Sequence, residues 1–212
     1  METLKKLLFA IAFIGVNHVA LAQLDASQQK AFSASYIAEG KYNYPEAITA
    51  INNVYVEQSY EMNLRLGWLY YLSKNYTSSM KYYDKAITLK PYAIEAKFGL
   101  IKPLAALESW DKVIKQYEAI LSIDPQNTTA NYYLGYTFYT RKQYDAAIKN
   151  FEKVVNLYPF DYDNSLMLAW SYLRIDKQNE AKSLFNKVLL MSPNDASALE
   201  GLAAKKKKKR CV

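Results

Sequence analysis

The side chains best suited to acid–base, nucleophilic or metal chemistry are almost absent from this sequence. The only histidine is His18, and the only cysteine is Cys211, next to the last residue. Because His18 lies in an N-terminal segment that we expect to be cleaved, no Ser-His-Asp triad, Cys-His pair or histidine metal site can form in one mature chain. Carboxylates such as Glu61, Glu95 and Asp163 are scattered, which is more typical of solvated surface. The sequence therefore predicts no enzyme, cofactor or metal site.

Aromatic side chains, in contrast, are abundant. The chain contains 20 tyrosines, 8 phenylalanines and 3 tryptophans among 212 residues. Such rings can fill a core or stack against a bound ligand. Their role depends on the elements that hold them.

The N-terminus has the layout of a secretory signal. Lys5 and Lys6 precede an unbroken apolar run over residues 7–16, and small residues follow at Ala20 and Ala22. This order of features is typical of an export signal, and the run is too short to span a bilayer. We expect cleavage between Ala22 and Gln23 and a mature chain outside the cytoplasm, either periplasmic or extracellular, without a transmembrane span.

The positive charge of the chain is concentrated at its ends. The six positive charges of Lys205 to Arg210, with a single net positive charge in the N-terminal segment, account for the formal net charge of +7. Residues 23–204 are therefore neutral overall, which argues against nucleic acid as a partner. The basic tail, residues 205–212, is either a solvated end or a weak electrostatic contact with an anionic surface; a truncation or frameshift end remains a third interpretation.

A regular repeat organises most of the chain. Pro91, Pro125, Pro159 and Pro193 recur at one constant interval, and the columns of residues around them agree without an insertion. The seventh, eighth and eleventh positions of each repeat are apolar or small, with the 3–4 spacing of one helical face, and a second such set follows at positions 17, 20, 24 and 27. Each repeat is therefore predicted to be a helical hairpin, which the proline ends. Asn127, Asp161 and Asp195 are predicted to cap the next helix.

These columns resemble the tetratricopeptide repeat (TPR) family. The third repeat keeps the family pattern best, with Leu134-Gly135, Phe138, Ala147 and Phe151 among its matching residues. The resemblance implies an all-α, right-handed superhelical solenoid of antiparallel helix hairpins with a C-terminal capping helix. The predicted organisation is a signal peptide (1–22), a degenerate first hairpin with a shortened connection (23–59), four repeats over 60–193 (60–93, 94–127, 128–161 and 162–195), a capping helix (196–209) and the tail (205–212).

The family resemblance also implies where a partner binds. Ligand peptides of TPR proteins usually lie along the concave face formed by the first helix of each repeat. The residues of this chain at those positions form a candidate groove that is aromatic rather than basic: Leu64, Trp68, Tyr71, Phe98, Lys102, Tyr132, Tyr136, Tyr139, Trp170 and Arg174. Some members of the family bind acidic chain ends with a lysine at the fifth position and an asparagine at the ninth position of a repeat. In this chain no repeat has lysine at the fifth position or asparagine at the ninth. Pro103, inside the first helix of its repeat, predicts a kink near Lys102.

The resemblance leaves three functional interpretations. The first is an exported adaptor or scaffold that binds a protein or peptide segment in the aromatic groove. The second is an envelope protein that contacts glycan or peptidoglycan, or a fragment of a larger envelope assembly component. The third is an enzyme that uses the scattered carboxylates. We favour the first.

Overall fold

The computed structural model describes residues 26–204, in which all regular secondary structure is helical and no strand occurs. The described residues divide into an N-terminal unit that ends at Ser109 and a C-terminal unit that begins at Trp110. The N-terminal unit contains α1 (26–40), α2 (Tyr44–Asn52), α3 (Tyr60–Leu72), α4 (Tyr76–Leu89) and α5 (Ile94–Ala106). The C-terminal unit contains α6 (Trp110–Ile123), α7 (Thr128–Thr140), α8 (Tyr144–Leu157), α9 (Tyr162–Arg174), α10 (Gln178–Met191) and α11 (Ala196–Ala203).

The all-α hairpin fold predicted from the repeat is confirmed. Helices α3, α5, α7 and α9 begin at Tyr60, Ile94, Thr128 and Tyr162, the residues at which the aligned columns begin. Consecutive helices pack against each other from α2 to α5 and from α6 to α11. Among residues 26–204, no helix combines the length and the apolar composition that crossing a membrane requires.

The predicted helix caps are also confirmed. The side chains of Asn127, Asp161 and Asp195 each accept a hydrogen bond from the backbone N–H three residues later, at 2.8–2.9 Å. Each cap satisfies one of the amide donors that a helix start leaves unpaired. The polar residues after each proline therefore fix where α7, α9 and α11 begin.

A tight turn joins the two helices of each hairpin. The turn residues Tyr42, Lys74, Glu108, Lys142 and Asp176 all have positive φ, between 53° and 64°. This left-handed backbone is sparsely populated by residues other than glycine. The last four recur at the interval of the prolines, whereas Tyr42 lies two positions closer to Lys74 than that interval requires. The first hairpin therefore has the same type of turn, but its first helix is displaced by two positions relative to the repeat interval.

Small residues allow the two helices of a hairpin to approach closely. A Cβ atom added to Gly67 would lie 2.9 Å from the ring of Tyr83, and one added to Gly135 would lie 2.8 Å from the ring of Phe151. The hydroxyl of Ser79 donates to the carbonyl of Gly67 at 2.7 Å. Glycine is thus required at these crossings because an aromatic ring occupies the space that a side chain would need.

A recurrent polar anchor ties the first helix of a repeat to the preceding loop. Asn63 donates to the carbonyl of Glu57 at 2.8 Å, and Asn131 donates to the carbonyl of Pro125 at 3.1 Å. Lys97 makes the same contact with the carbonyl of the proline before its helix. All three donors stand fourth in their repeats, and burial lowers the pKa of Lys97 below its usual value. The anchors satisfy loop carbonyls that would otherwise be unpaired near the helix starts.

The ends of the array differ in part from the sequence-based expectations. The connection between α1 and α2 has three residues, as in the other hairpins, so the expected shortened connection is wrong; α2 itself is shorter, with 9 residues against 14 in α4. Helix α11 ends at Ala203 and Ala204 is extended. The predicted capping helix continued to residue 209, but residues 205–209 lie outside the described part. Pro103 lies within α5, which continues to Ala106.

Candidate functional site

An open groove of about 910 Å³ lies on the N-terminal unit. Most of its walls come from α1 and α3, the first helices of the first two hairpins, with one residue from the start of α5. The lining residues are Phe32, Tyr36, Glu39, Gly40, Tyr42, Tyr44, Tyr60, Glu61, Leu64, Arg65, Trp68, Leu72, Lys90 and Glu95. The groove is therefore rich in aromatic rings, with three carboxylates and two cations among its lining residues.

A hydrogen-bonded cluster forms the floor of this groove. The indole nitrogen of Trp68 donates to Oε1 of Glu39 at 2.7 Å, and the Arg65 guanidinium forms an ion pair with Oε2 of the same carboxylate. Arg65 also donates from Nε to the buried hydroxyl of Ser35 at 3.0 Å. The ring of Tyr36 covers the guanidinium, with its centroid 3.9 Å from Cζ. One carboxylate thus fixes the orientation of both Trp68 and Arg65.

A second set of hydrogen-bonded and charged side chains lies at the rim of the groove. The Tyr60 hydroxyl donates to Glu95 Oε1 at 2.8 Å, and burial together with this carboxylate raises the pKa of Tyr60 well above its usual value. Lys90 Nζ lies 3.0 Å from Glu61 Oε1 and 4.5 Å from the centre of the Tyr60 ring. The rim therefore presents fixed charges around an aromatic ring.

The predicted groove residues of the N-terminal unit fall into two groups. Leu64 and Trp68 line the groove. Tyr71 lies beside it, with its ring centre 5.7 Å from that of Trp68, and Lys102 places Nζ 5.6 Å from the Trp68 ring. Phe98 is half-buried and, like Tyr71 and Lys102, does not belong to the groove lining.

The predicted residues of the C-terminal unit form two contacting sets on α7 and α9. The rings of Tyr132 and Tyr136 stack with centres 6.4 Å apart, and Tyr136 is 45% exposed. Arg174 donates from Nε to the Tyr139 hydroxyl at 3.2 Å and lies 5.6 Å from the Trp170 ring. Trp170 also donates to Ser197 on α11 at 2.9 Å and packs against Phe185. Trp170 therefore combines a surface position with core packing.

Helix α1 contributes groove residues that the aligned repeat columns did not predict. Phe32, Tyr36, Glu39 and Gly40 precede Tyr132, Tyr136, Tyr139 and Thr140 by one constant offset, and the latter four stand at the family's ligand-contacting positions. The motif Tyr44-Pro45 has this same offset from Tyr144-Asp145. Applying it to the first helix would have identified the α1 wall.

Comparison with known families identifies the repeat. Three family models, each described as tetratricopeptide repeat, match residues 60–92, 97–162 and 138–206. Together they span well over half of the chain. No curated protein matches the chain in sequence.

Solved structures share the fold at low sequence identity. A MamA protein superposes with a TM-score of 0.67 and 19% identity, covering 77% of this chain and 91% of that one. A tetratricopeptide repeat protein from Parabacteroides merdae gives 0.71 and 18%, covering 84% and 71%. MamA from Desulfovibrio magneticus gives 0.65 and 20%, covering 80% and 98%. At these identities the similarity concerns the fold alone.

Proposed function

Because the chain belongs to the tetratricopeptide repeat family, we propose that it is an adaptor or scaffold that binds an extended segment of a protein partner along its aromatic groove. Proteins of this family are typically scaffolds for interactions between proteins rather than enzymes. The observation that carries the proposal is the open groove of about 910 Å³ between α1 and α3. Its volume lies within the range of pockets that bind small ligands or several side chains of a peptide.

The exposure of the aromatic rings supports recognition rather than packing alone. Tyr36 is 58% exposed and Tyr42 is 80% exposed, although both line the groove. Clustered exposed aromatic residues of this kind mark interaction surfaces, and they supply the anchors that dominate binding energy. The fixed Trp68 indole adds a rigid ring, so little side-chain entropy is lost on binding.

The proposal includes an extracytoplasmic location. Its support is the signal-like layout of residues 1–22, which lie outside the described residues. Cleavage between Ala22 and Gln23 would leave a mature chain that begins just before α1. Detection of the mature N-terminus in an extracytoplasmic fraction by mass spectrometry would test this part.

Affinity capture from envelope extracts tests the groove. The mature chain is compared with a variant carrying Tyr36→Ala, Tyr42→Ala and Trp68→Ala, three aromatic residues that line the groove, and we expect the variant to lose the recovered partners. A matched control carries Tyr92→Ala, Tyr158→Ala and Phe160→Ala, which remove rings that are 54–83% exposed and lie in loops. Equal recovery by all three proteins would refute the proposal.

Two further measurements complete this test. Circular dichroism and thermal melting check that the groove variant is folded, since Tyr36 also stacks on Arg65 and Trp68 is hydrogen-bonded to Glu39. Binding of isolated cell-wall fragments, lost in the groove variant alone, would instead assign the surface to glycan, because indole and phenol faces also stack on sugar rings.

A further inference from the structure

One donor of the groove has no partner within the described residues. Nη2 of Arg65 is buried and makes no hydrogen bond within residues 26–204, although the Arg65 side chain lines the groove and is only 5% exposed. Nη1 and Nε of the same guanidinium are satisfied by Glu39 and Ser35. A buried N–H without an acceptor is costly, so such a donor points to an acceptor that arrives with a ligand.

The cover over this guanidinium is able to move. The Tyr36 ring stacks on Arg65, yet the residue is 58% exposed. Because its outer side faces solvent, rotation of the ring away from Arg65 breaks the cation–π contact and a tilted contact with the Phe32 ring, whose centre lies 6.5 Å away. An acceptor that replaces the ring would then reach Nη2.

The charge of the groove decides what kind of acceptor fits. Among the lining residues, Glu39, Glu61 and Glu95 oppose only Arg65 and Lys90, so the groove carries a net charge of −1. Arg65 and Lys90 are already paired with Glu39 and Glu61. A carboxylate ligand would add a second uncompensated negative charge, whereas a backbone carbonyl would not. The groove chemistry therefore disfavours acidic segments.

Glu95 is the remaining uncompensated charge. It is exposed, it accepts a hydrogen bond from Tyr60, and no basic side chain within the described residues forms an ion pair with it. A lysine or arginine of a bound segment can therefore form an ion pair with Glu95 at the rim of the groove.

We propose that the groove of the N-terminal unit selects an extended, apolar or aromatic protein segment that carries a basic residue, and that it rejects acidic segments. A backbone carbonyl of the segment accepts from Arg65 Nη2 after Tyr36 has moved, and the basic side chain pairs with Glu95. This inference rests on the proposed function, because it names the class of partner segment for the same groove.

Selection from a phage-displayed library of random peptides tests the inference. The mature chain should enrich sequences with aromatic and aliphatic residues, with more lysine and arginine and fewer acidic residues than the starting library. Glu95→Gln should lower the preference for a basic over a neutral residue by a factor of about 2–5, as expected for a solvent-exposed ion pair. Asp163→Asn is the matched control, because Asp163 holds the same repeat position in the C-terminal unit and should leave the preference unchanged.

Substitution at Arg65 tests the second contact. Arg65→Lys retains a positive charge opposite Glu39 but removes Nη2, so a selected peptide should bind about tenfold more weakly, with its preference for a basic residue retained. Unchanged affinity in a folded Arg65→Lys protein would show that Arg65 Nη2 does not contact the bound segment.

The outcomes distinguish a failure of the proposed groove function from a failure of the inferred preference for a basic segment. If the selected peptides bind the Tyr36→Ala, Tyr42→Ala, Trp68→Ala variant as well as the mature chain, or no sequence is enriched at all, the groove function itself is wrong. If groove-dependent peptides are enriched but show no basic preference, or are acidic, only the present inference is wrong.

Discussion

Trp68 and Glu39 are joined across two hairpins by a hydrogen bond of 2.7 Å from the indole nitrogen to Oε1. The same carboxylate neutralises Arg65, whose side chain is only 5% exposed. Glu39 therefore holds together the floor of the groove, and it connects α1 to α3.

Replacement of Glu39 by glutamine should destabilise the protein. Glu39→Gln leaves the buried Arg65 charge without its counter-ion, so we expect a loss of about 2–4 kcal/mol in the free energy of unfolding. Urea denaturation followed by circular dichroism measures it. Glu57→Gln is the control, because it breaks an ion pair with Lys85 in which Glu57 is 64% exposed, and exposed pairs contribute little to stability. Equal losses in both variants would show that the Glu39 pair is not specially important.

The periodicity of the sequence predicted the helices well. The constant repeat interval determines which face each residue occupies, and Leu64 and Trp68 of the predicted set line the open groove; their contact with a partner stays a prediction. The interval does not determine side-chain contacts. Tyr71 instead packs between Trp68 and Tyr76 of its own hairpin, where neighbouring rings cover part of its surface.

Other parts of the site depend on contacts between residues far apart in sequence. Glu39 and Arg65 are 26 residues apart, and no local pattern pairs them. Tyr36 and Glu39 also fall outside the aligned repeat columns, because the first helix is displaced by two positions. The repeat interval alone therefore does not identify the groove wall on α1, although the constant offset between α1 and α7 does.

A methyl group added at Gly201 should be poorly tolerated. The new Cβ would overlap the ring of Phe185, which is almost completely buried. Gly201→Ala must therefore displace the ring or separate α11 from α10, at a cost of about 1–3 kcal/mol. Gly40→Ala is the matched control, since no atom lies within 4 Å of its added Cβ. Thermal melting should show a lower midpoint for Gly201→Ala only; a fall of the same size in Gly40→Ala would contradict the steric explanation.

The free energy of unfolding should fall at alkaline pH. Burial, with a smaller contribution from Tyr133, raises the pKa of Tyr117 from 10.0 to about 12. Between these values the unfolded chain loses the proton more readily than the folded one, so a stabilisation that is complete below pH 10 disappears as the pH approaches 12. Urea midpoints measured from pH 8 to pH 11.5 should show this decline.

Tyr117→Phe should reduce the decline, because a phenylalanine ring cannot ionise. Tyr92→Phe is the matched control, as Tyr92 is 83% exposed in a loop. The same pH dependence in the Tyr117→Phe protein and in the original chain would show that ionisation of Tyr117 does not contribute.

The basic tail should bind anionic membranes without contributing to the fold. Lys205 to Arg210 supply six consecutive positive charges, and each basic residue near an anionic surface contributes about 1 kcal/mol at low ionic strength. Deletion of residues 205–212 should leave the helical circular dichroism signal and peptide binding unchanged, because α11 already ends at Ala203. The deletion should abolish sedimentation with phosphatidylserine-containing vesicles, which salt should also weaken in the full-length protein because it screens the attraction. A variant with the six basic residues replaced by glutamine retains the length of the tail and should behave like the deletion. If the full-length protein and both variants sediment equally with these vesicles in low salt, the tail has no role in membrane attachment.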